Sequence, residues 1–357
     1  MLKQNRLAID SLDSMIEESA LPPENIVVLN ETRSAADLYR LIATDSIDIN
    51  PDFQRNEVWN DSDMARFIDS LTKEFPIPSM CFALDPKVQK YIVIDGLQRM
   101  STIARFLSTP DWVLPKLEDI DGRLSGKSIA AIKKSDPAIY RKVENISLPV
   151  TILRYDPNRN DNMEYIFTIF QRLNTCGLQL NNQEIRNAIY QGPFNAFIKM
   201  CAENGSWLEL VKNLKTAGDG NKRMFSEERV LRFFAFYEDL NSYEGKLIKF
   251  LNNYMQTKRF SADNVELQIA FSAVIEIAGK IDVSKAKFSN AVQDAILYGI
   301  SKNLNHLESQ KVTTLNQYLN KLVQNKHFLP DELSEAVMRK QKVMDRLSTA
   351  KKIFSGK

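Results

Sequence analysis

The stretch Tyr91–Leu107 reads YIVIDGLQRMSTIARFL. Its apolar run, Tyr91-Ile92-Val93-Ile94, has the make-up of a buried strand and stops at Asp95-Gly96. An amphipathic helix begins at once, with Gln98 and Arg99 in its first turn. A strand that feeds through glycine into a helix start is a place where anions bind. The first N–H groups of the helix lack intrahelical partners, the dipole is positive there, and glycine lets a phosphate approach the backbone. Arg99 adds a fork of donors matched to phosphate or carboxylate. A second reading fits the same residues: an ordinary strand-to-helix turn in which Asp95 and Arg99 form a structural ion pair. On this stretch alone both stand.

Upstream, Ile49–Trp59 reads INPDFQRNEVW. Asn50-Pro51 punctuates the chain, Phe53 and Trp59 are candidates for burial, and Gln54-Arg55 offers a planar amide and a second guanidinium. Asn60 is placed to cap a helix, with Asp63 three residues on and an apolar stripe of Met64, Phe67, Ile68, Leu71 and Phe75. Pro76-Ile77-Pro78 breaks that helix before a strand over Ser79 to Leu84. The order is then a loop with Gln-Arg, a helix, a strand, a hairpin connection, a strand, and a helix that starts with Gln-Arg. Two such pairs facing one phosphate-sized site make a sharper expectation than either alone.

These residues resemble the N-terminal domain of GmrSD-type modification-dependent restriction enzymes, a group with a ParB/sulfiredoxin-like fold. The matching motifs are PDFQRNEVW (Pro51 to Trp59), PIP (Pro76 to Pro78), IDGLQRMSTI (Ile94 to Ile103) and FQRLNTCGLQLNNQEIRNAIYQG (Phe170 to Gly192). The likeness spans roughly residues 30 to 195, and four ordered motifs are far more specific than one glycine turn. There is one departure. The family reads Asp-Gly-Gln-Gln-Arg at the turn, and here Leu97 stands in place of the first glutamine.

The resemblance implies a nucleotide-phosphate site and, in the restriction-type relatives, nucleoside triphosphate hydrolysis. Carried over by position, Asp95 is expected to hold Mg²⁺ through water or to orient the attacking water. Gly96 would admit the phosphates, and Gln98 and Arg99 would grip them. Ser101 and Thr102 are further hydroxyl donors, and Gln54 and Arg55 would close the site from the other side. A carboxylate beside phosphates needs a cation, because two anions do not share a dry pocket unaided. Phosphoryl transfer asks chiefly for positioning and charge neutralisation, which this set can supply.

Composition excludes more than it identifies. The chain of 357 residues leaves room for two domains of about 150 residues each. Its 44% apolar and 26% charged residues describe a globular protein with a sizeable core, and a net charge of +2 makes no case for nucleic acid. Cys81, Cys176 and Cys201 show no metal-ligand spacing, and their odd number argues against a disulfide framework. Met1 to Arg6 is polar and leads into an acidic amphipathic helix over Leu7 to Ala20, a pattern unlike a secretory leader. No apolar run has the length of a membrane span. A cytoplasmic location, with no membrane partner, is the expectation. The only histidines are His306 and His327, too few for the C-terminal His-Asn-His nuclease domain of the longer relatives. Any chemistry must run on Asp, Glu, Gln, Arg and a metal.

The fold expected is α+β: a small mixed-sheet ParB/sulfiredoxin-like domain over residues 1–158, followed by a helical domain over 159–357. The Phe170 to Gly192 motif lies within 159–195. Strands are expected at Asn25 to Leu29, Ile47 to Ile49, Ser79 to Leu84, Lys90 to Ile94 and Leu148 to Tyr155, with short helices near Ser128 and Pro137. After Asp156-Pro157-Asn158 the pattern turns helical, with Met163, Ile166, Phe167 and Phe170 on one face. Around Gly177, Arg172 and Asn174 are expected to complete the nucleotide pocket, or Arg172 to pair with Glu184 and fix the loop. Glu184 and Arg186 read as structural. Near the C-terminus Lys340, Lys342 and Arg346 are candidate DNA contacts, against the alternative of a solvated mixed-charge face.

Three functions fit these residues. The first is a nucleotide-hydrolysing module of a bacterial defence or DNA-processing system. The second is a non-hydrolysing, nucleotide-gated regulator or adaptor, which Leu97 favours. The third is a DNA nickase acting through the Asp95-Gln98-Arg99 site. The implied partners are a nucleoside triphosphate with Mg²⁺, DNA, and a separate nuclease or methylase.

Overall fold

The structure, a computed structural model, describes residues 23–47, 49, 59–173, 180–214, 224–283, 288–334 and 336–356. Gln54, Arg55 and Asn174, with the expected helix over residues 7–20, lie outside the described residues. The chain divides into two compact units, Met1–Leu180 and Asn181–Lys357.

The first unit is built on a four-stranded mixed sheet in the order β1-β4-β2-β3. Its strands are β1 (Val27–Ser34), β2 (Met80–Asp85), β3 (Lys90–Asp95) and β4 (Ser147–Arg154). β1 runs antiparallel to β4, β4 parallel to β2, and β2 antiparallel to β3. β2 is buried along its whole length, as its central position requires. The parallel register sets Met80 beside Val150, and the hairpin sets Cys81 beside Asp95, with a bulge between Cys81 and Phe82. The start of β4, the start of β2 and the end of β3 therefore meet at one end of the sheet.

Two strand expectations are revised. β1 runs on through the polar residues Asn30 to Ser34, because each of them pairs with β4 down to Ser34↔Ser147. Among the described residues Ile47 makes a single bridge to Tyr91 instead of a strand.

Helices cover the sheet with their own start signals. α1 (Ala35–Ala43) is capped by Ser34, whose hydroxyl accepts from the N–H of Asp37. α2 (Asp61–Thr72) is capped by Asn60, whose side chain accepts from the N–H groups of Ser62 and Asp63. α3 (Leu97–Ser108) starts from Gly96 without a side-chain cap. α4 (Ile129–Ser135) is capped by Ser128, and α5 (Pro137–Asn145) by Asp136 with proline in its first turn. Leu38, Phe67, Ile68, Phe82, Met100, Ile103 and Ile152 meet in one core. α6 (Asn160–Leu173), expected with the helical part, belongs to this first unit and packs on β3.

Phe75 departs from the stripe expected of α2. The helix ends at Thr72, and Glu74 takes a left-handed φ of 55°. That turn carries Phe75 out of the apolar row, and it is 54% exposed.

Every described regular element of the second unit is helical. α7 (Asn182–Ile189), α8 (Pro193–Ala202), α9 (Gly205–Asn213) and α10 (Phe225–Asp239) are followed by α11 (Leu247–Lys258), α12 (Val265–Gly279) and α13 (Asn290–Ser301). α14 (Leu304–Leu307), α15 (Val312–Val323) and α16 (Lys340–Phe354) complete it. Its interior carries charge. Arg186 donates to Asn252 (2.8 Å) and Gln183 (3.1 Å) and pairs with Glu228 (3.4 Å), while Arg232 pairs with Asp294. Burial pulls the Arg186 guanidinium below its ordinary range, and Glu228 works against that shift. A buried cation of this kind persists only with such partners.

Candidate functional site

The site grows from the turn between β3 and α3. Gly96 has φ +101°, and a Cβ added there would sit 2.5 Å from Cγ of Met80. The turn therefore requires glycine twice over, for its left-handed backbone and for the lack of space. Gly96 brings no side-chain cap to the first N–H groups of α3, which have no partner within the helix.

Arg99 lies across this helix start. Its Nη2 meets Oδ2 of Asp95 at 2.6 Å, and its Nη1 donates to the carbonyl of Pro78. The Arg99 side chain is 12% exposed and that of Asp95 44%, so the cation is sheltered and the carboxylate looks outward. The ion pair read from the sequence is present. The same contacts fix the guanidinium between Asp95 and the Pro78 carbonyl.

Gln98 ties two motifs together. Its Oε1 accepts the backbone N–H of Trp59 at 3.1 Å. Trp59 closes the PDFQRNEVW motif and packs edge-on against Phe67, with ring centroids 5.4 Å apart. The end of the first Gln-Arg motif is thus anchored to the helix that carries the second.

The hydroxyls at this turn divide. Thr102 is fully buried, and its Oγ1 donates to the carbonyl of Gln98 at 2.8 Å. That donor is engaged inside the helix and turned away from any anion at its start. Ser101 is half-buried. Leu97 is 8% exposed and belongs to the core cluster, so the position of the family's first glutamine is a packing position here. Cys81, paired across the sheet with Asp95, has its thiol pushed up to about 12 by burial and, second, by the Asp95 charge.

The other expected residues lie on other helices. Arg172 lies exposed in the last turn of α6. Glu184 closes a capping box with Asn181 at the start of α7. Lys340 and Lys342 reach the surface and pair with Glu244 (2.7 Å) and Glu332 (3.1 Å). Arg346 is 3% exposed and donates to the carbonyl of Val337. A side chain so placed offers little of its fork to DNA in solvent. The helical periodicity of α16 could have placed Arg346 beside the inward residues Val343, Leu347 and Ala350. Sequence reasoning also missed the Pro78 carbonyl, a backbone group that no residue type announces.

Among the described residues no group of three or more His, Cys, Asp or Glu could hold a metal ion. Among them, too, no helix is long and apolar enough to cross a membrane.

The fold and the turn define an α+β domain with a glycine-initiated helix and an arginine-carboxylate pair at one end of a mixed sheet. Residues 36–191 match the family model described as the GmrSD restriction endonuclease, N-terminal domain. The match covers less than half of the chain and is a likeness of that stretch to the restriction-enzyme domain. No curated protein and no solved structure matches the chain.

Proposed function

We propose that the start of α3 binds the phosphates of a nucleoside triphosphate, and that the domain turns this binding, with hydrolysis, to the work of a restriction-type defence system. The observation that carries the reading is Arg99, a sheltered guanidinium held across an uncapped, glycine-started helix by Asp95 and the Pro78 carbonyl. In this reading a phosphate takes the fork of Arg99 and the first N–H groups of α3. Gln98 holds the backbone N–H of Trp59, the residue that ends the first Gln-Arg motif. Residues 54 and 55 would then close the site, as the family likeness implies.

Mg²⁺ suits the donors available. The ion keeps several waters and binds through one or two carboxylates together with substrate phosphates. Asp95 is half exposed, with one oxygen on Arg99, which fits a shared ion better than an all-protein cage. Bound there, Mg²⁺ would neutralise charge developing on the phosphates. DNA and a separate nuclease are the partners this reading implies.

A second reading has its own observation. Leu97 fills the position of a family glutamine and is buried in the core, so one polar group of the implied catalytic set is missing. That favours a regulator that binds the nucleotide without turning it over. Turnover of γ-labelled triphosphate, with and without Mg²⁺ and DNA, separates the two. Binding with turnover supports the first reading, and binding without turnover supports the second. Absence of binding under all conditions would overturn both.

A further inference from the structure

A cavity of about 630 Å³ lies at the same end of the sheet, between the PIP segment after α2 and the chain running from α5 into β4. Its walls include Phe75, Ile77 and Pro149, with Glu74, Lys142 and Asn145 among its polar groups. The topology explains its position. β2 and β4 are parallel, so the chain entering β2 and the chain entering β4 lie side by side, and β3 ends next to them at Asp95. The cavity and the phosphate site adjoin along the chain, because Ile77 lines the cavity and the carbonyl of Pro78 holds Arg99.

Resting on the proposed phosphate site, we infer that this cavity receives the nucleoside, base and ribose, of the nucleotide whose phosphates reach Arg99. The volume falls in the range of small-molecule sites, roughly 300–1,000 Å³. Phe75 stands 54% exposed, an uncommon setting for a phenylalanine. The left-handed residue Glu74 turns it out of the α2 stripe and toward the cavity. An exposed ring beside Ile77 and Pro149 is a surface on which a base can stack, whatever its identity. Asn145 donates from its amide nitrogen to the carbonyl of Arg141 at 2.9 Å, which leaves its Oδ1 as an acceptor for an amino group on a base edge. Lys142 pairs with Glu74 at 2.9 Å, closing one side of the cavity with a neutral pair instead of a repelling charge. The phosphates then point along the PIP segment to Arg99, with Ile77 lining the cavity and the next residue, Pro78, holding the guanidinium.

The test compares nucleoside triphosphates with inorganic tripolyphosphate on the full chain, by calorimetry in Mg²⁺ buffer. The expected result is that the nucleoside triphosphate binds about ten-fold more tightly, the order of one stacked base. Phe75→Ala and Asn145→Ala should shrink that advantage while leaving tripolyphosphate binding as it was. Arg99→Ala should weaken both ligands. Photolabelling with 8-azidoadenosine triphosphate should mark the peptide holding Phe75 to Pro78. Equal affinity for the two ligands, or a Phe75→Ala variant that loses both equally, would overturn the nucleoside pocket and leave the phosphate site standing. If neither ligand binds, the phosphate site falls and the pocket with it.

Discussion

Oε1 of Gln98, in the first turn of α3, accepts the backbone N–H of Trp59 at 3.1 Å across 39 positions of sequence. One amide thereby joins the two Gln-Arg motifs, and the joint is open to a direct test. Gln98→Ala is expected to cost about 1 kcal/mol, the net worth of one such bond. More tellingly, the amide of Trp59 should exchange its hydrogen faster in the variant while neighbouring α2 amides keep their protection. Unchanged exchange at Trp59 would show that Gln98 does not anchor the loop end.

Arg99 separates phosphate binding from simple stabilisation. If the guanidinium grips phosphate, Arg99→Lys should lose nearly as much binding as Arg99→Ala, since a lysine cannot supply a bidentate planar fork. The loss should be roughly thirty- to several-hundred-fold. A purely structural pair with Asp95 predicts a lowered melting temperature for Arg99→Ala, partly rescued by adding Asp95→Asn, with no consequence for nucleotide. Binding and melting measured on the same variants decide between them.

Gly96→Ala should be among the costlier single changes in the first unit. A left-handed φ of +101° costs an L-residue on the order of 1–2 kcal/mol. The new methyl would also press on Met80, whose Cγ would be only 2.5 Å away. Adding Met80→Ala removes the Cγ contact but leaves Cβ at 3.0 Å and the backbone strain, so denaturation should show partial recovery at most. Full recovery in the double variant would mean that φ is not constrained there.

The thiol of Cys81 gives a pH signature beside the site. Its pKa is raised from 9.0 to about 12, first by burial and second by the charge of Asp95. The folded state therefore holds the proton more tightly than the unfolded chain. This contribution to stability is complete below pH 9.0 and lost as pH rises toward about 12. At about pH 8 Cys81 should resist iodoacetamide in the folded protein, because the thiolate is the reactive form. Asp95→Asn should bring its pKa down, though less than unfolding does. Rapid alkylation of native Cys81 under those conditions would contradict this environment.

The basic residues of α16 should behave as two kinds. Lys340→Ala with Lys342→Ala should leave stability nearly unchanged, since exposed ion pairs contribute little. If DNA binds there, this variant should lower the salt slope of affinity by about 1 for each phosphate that a lysine no longer neutralises. Arg346→Ala should instead destabilise the helical unit by roughly 1–3 kcal/mol, leaving the Val337 carbonyl without its donor. An unchanged melting temperature for Arg346→Ala would place that side chain in solvent.

What can be read from the sequence of this protein is what local chemistry decides. Asn60 caps α2 and Ser128 caps α4 because an oxygen a few residues away is all that a helix start requires. Gly96 ends a strand and starts a helix because only glycine tolerates that φ beside Met80. The four ordered motifs likewise point to the family without any knowledge of the fold. The tertiary structure decided which distant groups meet. The order β1-β4-β2-β3 brings the starts of β2 and β4 together with the end of β3. No local preference sets that order, because strand pairing joins residues far apart in sequence. The Pro78 carbonyl on Arg99 and the burial of Arg346 against Val337 arise in the same way. A backbone oxygen or a basic side chain carries no mark of its partner until the chain has folded around both.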